Sequence, residues 1–259
     1  MRETSIEEIK NAFNEKNPST MDLKDAIRTG IKKAYRDTQR TFRGVHQEQR
    51  DELLIFIENE FEKYFDESTK TKDEFDEWHK NVCEEIHKKA ETKAIFDNGA
   101  TYGQIQKIVN MTFKYIYHYL KNDVLETMEE KFKYCHMPID SYILRWLNRE
   151  VIGNSDKRKL PKWSKLDYDN GDSQYYSYKH IQNLIYEYFC SEKNKYQNLT
   201  PFQAEFYIWA EEQVEIASDG CLGEIEKFVK NKKQYDYEFI DDILKKIQDM
   251  QNLLKNLHI

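Results

Sequence analysis

Apolar positions recur three and four residues apart along most of the chain, which is the period of an amphipathic helix. Leu23, Ile27, Ile31 and Ala34 mark one such helix, ending near Arg40, with Ser19 and Thr20 as its predicted caps. Its other face carries Lys24, Arg28, Lys32 and Arg36 in a row, a solvated face or a strip for phosphates. Leu54, Ile57, Phe61 and Phe65 predict a second helix and Phe75, Trp78, Val82 and Ile86 a third, with residues 66–73 as the turn between them. Residues 101–121, TYGQIQKIVNMTFKYIYHYLK, are apolar around most of the circumference and carry no charge except Lys107, Lys114 and Lys121. That pattern predicts a central buried helix. Pro138 ends an extended approach, and Asp140 or Ser141 caps a short helix bearing Ile143, Leu144 and Leu147.

The periodicity stops over residues 151–174, the longest irregular connection in the chain, and resumes with Ile181, Leu184, Ile185 and Tyr188. Thr200, Pro201 and Gln203 form a capping box with proline at the first helical position. The helix they start passes through Phe206 and Trp209 towards Ser218, where Gly220 is expected to stop it. Ile240, Ile243, Ile247, Met250, Leu254 and Leu257 then alternate in steps of three and four. This seam suits either packing within the fold or a homo-oligomer through the C-terminal helix. The organisation expected is an N-terminal helical core over 1–150, an irregular basic and aromatic loop over 151–174, and a C-terminal helical part over 175–259 packed on the same core.

Composition narrows the fold class. Only 8 Gly and 4 Pro punctuate 259 residues, too few for the turns of a sandwich or barrel, so an all-α multi-helix bundle is expected. The 14 Phe, 18 Tyr and 4 Trp supply a large core despite 34% charged residues. A net charge of -7 opposes wholesale nonspecific binding to nucleic acid or an anionic membrane. No apolar run is long enough to span a bilayer, and the four cysteines form no C-x-x-C pair, which together point to a reducing, cytoplasmic setting without membrane contact. Abundant Lys, Asn, Ile and Tyr suggest an AT-rich coding sequence of bacterial or phage origin.

Several groups of residues are candidates for chemistry. The loop gathers Lys157, Arg158, Lys159, Lys162 and Lys165 around Trp163, cations for phosphate beside a face for stacking. Its plainer reading is a solvated loop anchored by the Trp. Gln106 and Asn110, four apart on the central helix, are either core hydrogen-bonding groups or a ligand-reading pair. His136, in His-x-Pro-x-Asp, places an imidazole near Asp140 for acid/base chemistry, or beside a capping Asp. His79, Cys83 and His87 share one helical face at the spacing of metal ligands, or form the rim of a packed face. No Walker loop or Rossmann fingerprint is present and no cofactor is implied; the acidic run at 167–172 departs from a calcium loop at the position of Gly171.

Two resemblances add to this. The segment RTFRGVH, from Arg40 to His46, resembles the active-site motif of HEPN-type helical ribonucleases. The resemblance implies a metal-independent cleavage in which Arg40 stabilises phosphate charge and His46 acts on the attacking 2'-hydroxyl. GQIQKIVNM, taken with HMPID, is similar to segments of uncharacterised bacterial helical proteins and implies a shared core without a stated activity. The function expected first is a helical module that binds a nucleotide, nucleic acid or protein partner without catalysis, with Gln106, Asn110, His136, Lys159 and Trp163 as contacts. The ribonuclease is its alternative, and a structural or assembly protein using the C-terminal helix a second.

Overall fold

The computed structural model describes residues 5–13, 21–41, 47–92, 99–153, 159–169, 171, 174–230, 245–247 and 249. Nine α-helices are bounded among them, α1 Ile6–Asn11, α2 Leu23–Gln39, α3 Gln47–Asp66, α4 Lys72–Thr92, α5 Tyr102–Tyr119, α6 Asn122–Met128, α7 Ser141–Trp146, α8 Tyr178–Phe189 and α9 Pro201–Lys230, and residues 245–247 and 249 are also helical. Short 3-10 turns lie at Glu129–Lys131 and Trp163–Lys165, and α7 continues into a π-helical turn at Leu147–Ile152. No β-strand is present among the described residues, only isolated bridges pairing Met21 with Leu120 and Lys159 with Tyr175. The protein is an all-α bundle, and no described helix is long and apolar enough to cross a membrane.

Helix α5 is the axis of the bundle, and all eighteen of its residues are buried. Its start is fixed by a capping box in which the Thr101 side chain accepts from the Gln104 amide and Gln104 accepts from the Thr101 amide. Helix α2 lies along it most extensively, with α4 and the 163–165 turn against other faces. Phe61, Tyr64, Phe65, Phe75, Trp78 and Phe113 pack ring to ring where α3 and α4 meet α5, with Phe61 and Phe113 centroids 4.7 Å apart.

Two local expectations are corrected. Helix α2 is capped by Asp22, whose side chain accepts from the Asp25 amide, rather than by Ser19 or Thr20. Helix α9 does not stop at Gly220 but continues to Lys230. A mid-helix glycine costs only about 1 kcal/mol, which continued hydrogen bonding outweighs. The Thr200 box forms as expected, the Gln203 amide donating to Thr200 Oγ1 and the Thr200 amide to Gln203 Oε1. Most of the predicted C-terminal seam, Ile247 excepted, lies outside the described residues.

The loop after α7 is seated rather than free-standing over residues 159–169. Gly103 makes this seat: a Cβ there would stand 2.0 Å from the Trp163 carbonyl oxygen. The Gly103 amide donates to the Leu166 carbonyl at 2.9 Å, and Thr101 Oγ1 donates to the Ser164 carbonyl at 2.8 Å. The 163–166 turn therefore covers the first turn of α5, and backbone contact there requires glycine.

Candidate functional site

A cavity of about 460 Å³ opens between α2, α5, α7 and α9, within the size range of small-molecule sites. Lys107, Met111 and Lys114, at successive four- and three-residue steps, present one stripe of α5 to it. Arg36 and Arg40 enter from the end of α2, Asp140 and Tyr142 from the start of α7, and Trp209 from α9.

The charges of this cavity divide into two kinds. Lys114 is buried in an ion pair with Glu205 of α9, and its Nζ stands 4.4, 4.9 and 5.2 Å from the ring centroids of Phe13, Phe206 and Trp209. Burial pushes the Lys114 amine down and the Glu205 carboxyl up, each opposed by the other's charge. Lys107 Nζ lies 3.0 Å from Asp140 Oδ2 and 5.0 Å over the Trp163 ring. The other carboxylate oxygen of Asp140 caps α7, accepting from the Tyr142 and Ile143 amides at 2.9 and 3.2 Å. Asp37 accepts from the Tyr115 hydroxyl. Arg36 and Arg40 are different: both are exposed and neither forms an ion pair among the described residues. The floor is neutralised from within, and the rim keeps two uncommitted guanidiniums four residues apart beside Tyr142 and Trp209, whose rings meet edge-on at 5.7 Å. Such a rim suits a phosphate, and such walls suit a ring.

Towards α4 and α8, α5 holds a buried polar chain. His79 Nε2 lies 2.8 Å from Asn110 Oδ1, and Asn110 Nδ2 donates at 2.9 Å to both Gln106 Oε1 and the Tyr178 hydroxyl. The Tyr178 oxygen is 2.9 Å from His136 Nδ1, and His136 Nε2 is 2.8 Å from Asp76 Oδ1. One assignment satisfies every contact: His79 donates from Nε2 to the Asn110 oxygen, Tyr178 donates to His136 Nδ1, and His136 donates from Nε2 to Asp76. Both imidazoles are then neutral, in keeping with burial, which pushes His136 down and His79 well below the ordinary histidine value. Burial would raise Asp76, but the hydrogen bonds from His136 and Lys72, with the Lys72 charge, outweigh it and hold the carboxyl down.

The sequence candidates fall in different places. Gln106 and Asn110 are fully hydrogen-bonded inside this chain, Gln106 also donating to the Gly103 and Ile139 carbonyls at 2.9 Å, and neither lines the cavity. His136 meets a carboxylate, but it is Asp76 of α4; Asp140 is committed to Lys107 and to capping α7. His79 and Cys83 are buried on one face rather than at a rim, His87 is half-buried, and no group of three His, Cys, Asp or Glu among the described residues is placed to hold a metal. Trp163 lies against Lys107 beside the cavity, and Lys159 pairs by backbone with Gln174 and Tyr176. Arg40 lines the cavity, whereas His46 lies outside the described residues.

Sequence reasoning passed over Lys107, Lys114, Glu205, Trp209 and the role of Arg36. The available signal was the pair of lysines seven apart on an otherwise apolar helix, a costly placement unless each finds a partner. No protein-family model, curated protein or solved structure matches this chain.

Proposed function

We propose that this protein is a helical binding module whose α2–α5–α7–α9 cavity takes a phosphorylated, ring-bearing small ligand of the nucleotide class. The observation that carries the reading is the division of charge: Lys107 and Lys114 are matched by Asp140 and Glu205, while Arg36 and Arg40 stand exposed and unpaired among the described residues at the rim. Two guanidiniums supply a charge-assisted clamp for one phosphate. Trp209, Tyr142 and Tyr115 offer faces for a base. One further observation favours the alternative, a metal-independent ribonuclease, because Arg40 of the HEPN-like segment borders the same cavity.

Calorimetric titration with AMP, adenosine and inorganic phosphate separates the contributions. AMP is expected to bind more tightly than either half, and Arg36→Ala with Arg40→Ala to weaken AMP by about tenfold or more while leaving adenosine unchanged. Equal binding of AMP and adenosine would remove the phosphate clamp. RNA cleavage by the purified chain, lost in both Arg40→Ala and His46→Ala, would establish the ribonuclease in its place.

A further inference from the structure

The cavity does not end at its rim. Gly103, Lys107 and Lys114 lie at steps of four and seven along α5, so the seat of the 163–166 turn and the cavity floor share one stripe of that helix. Lys107 joins the two directly, since it lines the cavity while its Nζ stands 5.0 Å over the Trp163 ring. The far end of α2 is drawn to the same place: Gln104 Nε2 donates at 2.8 Å to the carbonyl of Thr41, the residue after Arg40. Arg40 is thus tied to the loop end of the cavity. Beyond Trp163 the loop presents Lys162 and Lys165, both exposed and neither in an ion pair among the described residues.

From this continuity we infer that the natural ligand is a single-stranded nucleic acid, not a free nucleotide: one nucleotide occupies the cavity and the adjoining strand runs over the 162–165 turn. The inference rests on the nucleotide reading of the cavity. The stripe from Gly103 to Lys114 is about 16 Å long, enough for a nucleotide and its neighbours. Lys162 and Lys165 meet the adjoining phosphates, and the half-buried face of Trp163 offers a stacking surface at the junction. The overall negative charge keeps such binding local to exposed cations that form no ion pair among the described residues, here Lys162 and Lys165 with Arg36 and Arg40.

Fluorescence anisotropy with a labelled short oligoadenylate RNA, with AMP measured in parallel by calorimetry, tests the inference on the full chain. The oligonucleotide is expected to bind about tenfold more tightly than AMP, and the slope of log affinity against log salt to steepen by about 0.7 for each added phosphate contact. Lys162→Ala with Lys165→Ala should remove that gain and leave AMP binding unchanged. AMP binding with no gain for the oligonucleotide, or a gain that survives the double variant, overturns the strand while leaving the nucleotide cavity standing. Failure of AMP itself to bind overturns both.

Discussion

Lys114 on α5 and Glu205 on α9 form an ion pair in which neither side chain is more than 2% exposed. Two charges withdrawn from water to this degree hold each other in place, and each alone is a liability. Lys114→Met should therefore destabilise the fold by about 3–5 kcal/mol, because it strands the Glu205 carboxylate among Phe13, Phe206 and Trp209. The double variant Lys114→Met with Glu205→Leu should recover most of that loss. Urea unfolding of the single and double variants measures both, and a double variant no better than the single would show that the pair is not the source of the cost.

The buried imidazoles make stability depend on pH in a definite direction. His79 and His136 are held below their ordinary value by burial, so over the range beneath about pH 6.5 the unfolded chain takes up protons that the fold refuses. Stability is full above that pH and falls as the pH falls, by at most about 1.4 kcal/mol per pH unit for each histidine. Asp76, held down by His136 and Lys72, adds a loss of the same sign at lower pH, as the carboxylate begins to protonate. Urea midpoints collected from pH 8 to pH 5 should decline, and His79→Gln should flatten the decline. A midpoint constant across that range would contradict neutral, buried histidines.

Gly103 holds the loop to the bundle by having no side chain. In Gly103→Ala the new methyl would meet the Trp163 carbonyl at 2.0 Å, so the 163–166 turn must move. Over-packing of this kind costs about 1–3 kcal/mol. The expected outcome is faster proteolytic cleavage within residues 159–169, with a smaller fall in thermal midpoint than Lys114→Met causes. Gly153→Ala is the contrast: nothing lies within 4 Å of a Cβ there, and only its positive φ of 57° is strained.

What the sequence reveals and what it hides follow the range of the interactions. The central helix, the Thr200 box and the capping by Asp140 were legible because each depends on residues within one or two turns. His136 shows the limit: its own motif offered Asp140, and the fold supplied Asp76, sixty residues away. The lysines of α5 were visible as anomalies, but Asp140 and Glu205, which neutralise them, are brought in by other helices. Trp209 reads as an ordinary core position of α9, and only the crossing of four helices makes it a cavity wall. The continuation of α9 past Gly220 was hidden for the opposite reason, because a local stop signal was weaker than the helix it interrupts.

Asn110 is the branch point of the polar chain, and its replacement tests whether that chain organises the core or merely fills it. Its oxygen accepts from His79 Nε2, and its amide nitrogen donates to Gln106 and Tyr178. Asn110→Leu keeps a similar volume but leaves three buried polar groups short of a partner, each worth about 1–3 kcal/mol. A loss of several kcal/mol is expected from urea unfolding, against no measurable change for Lys159→Ala at an exposed position. Because Asn110 does not line the cavity, AMP affinity measured in the folded population should be unaltered. A loss of AMP binding without a loss of stability would instead make Asn110 a ligand contact, the role its place on the central helix first suggested.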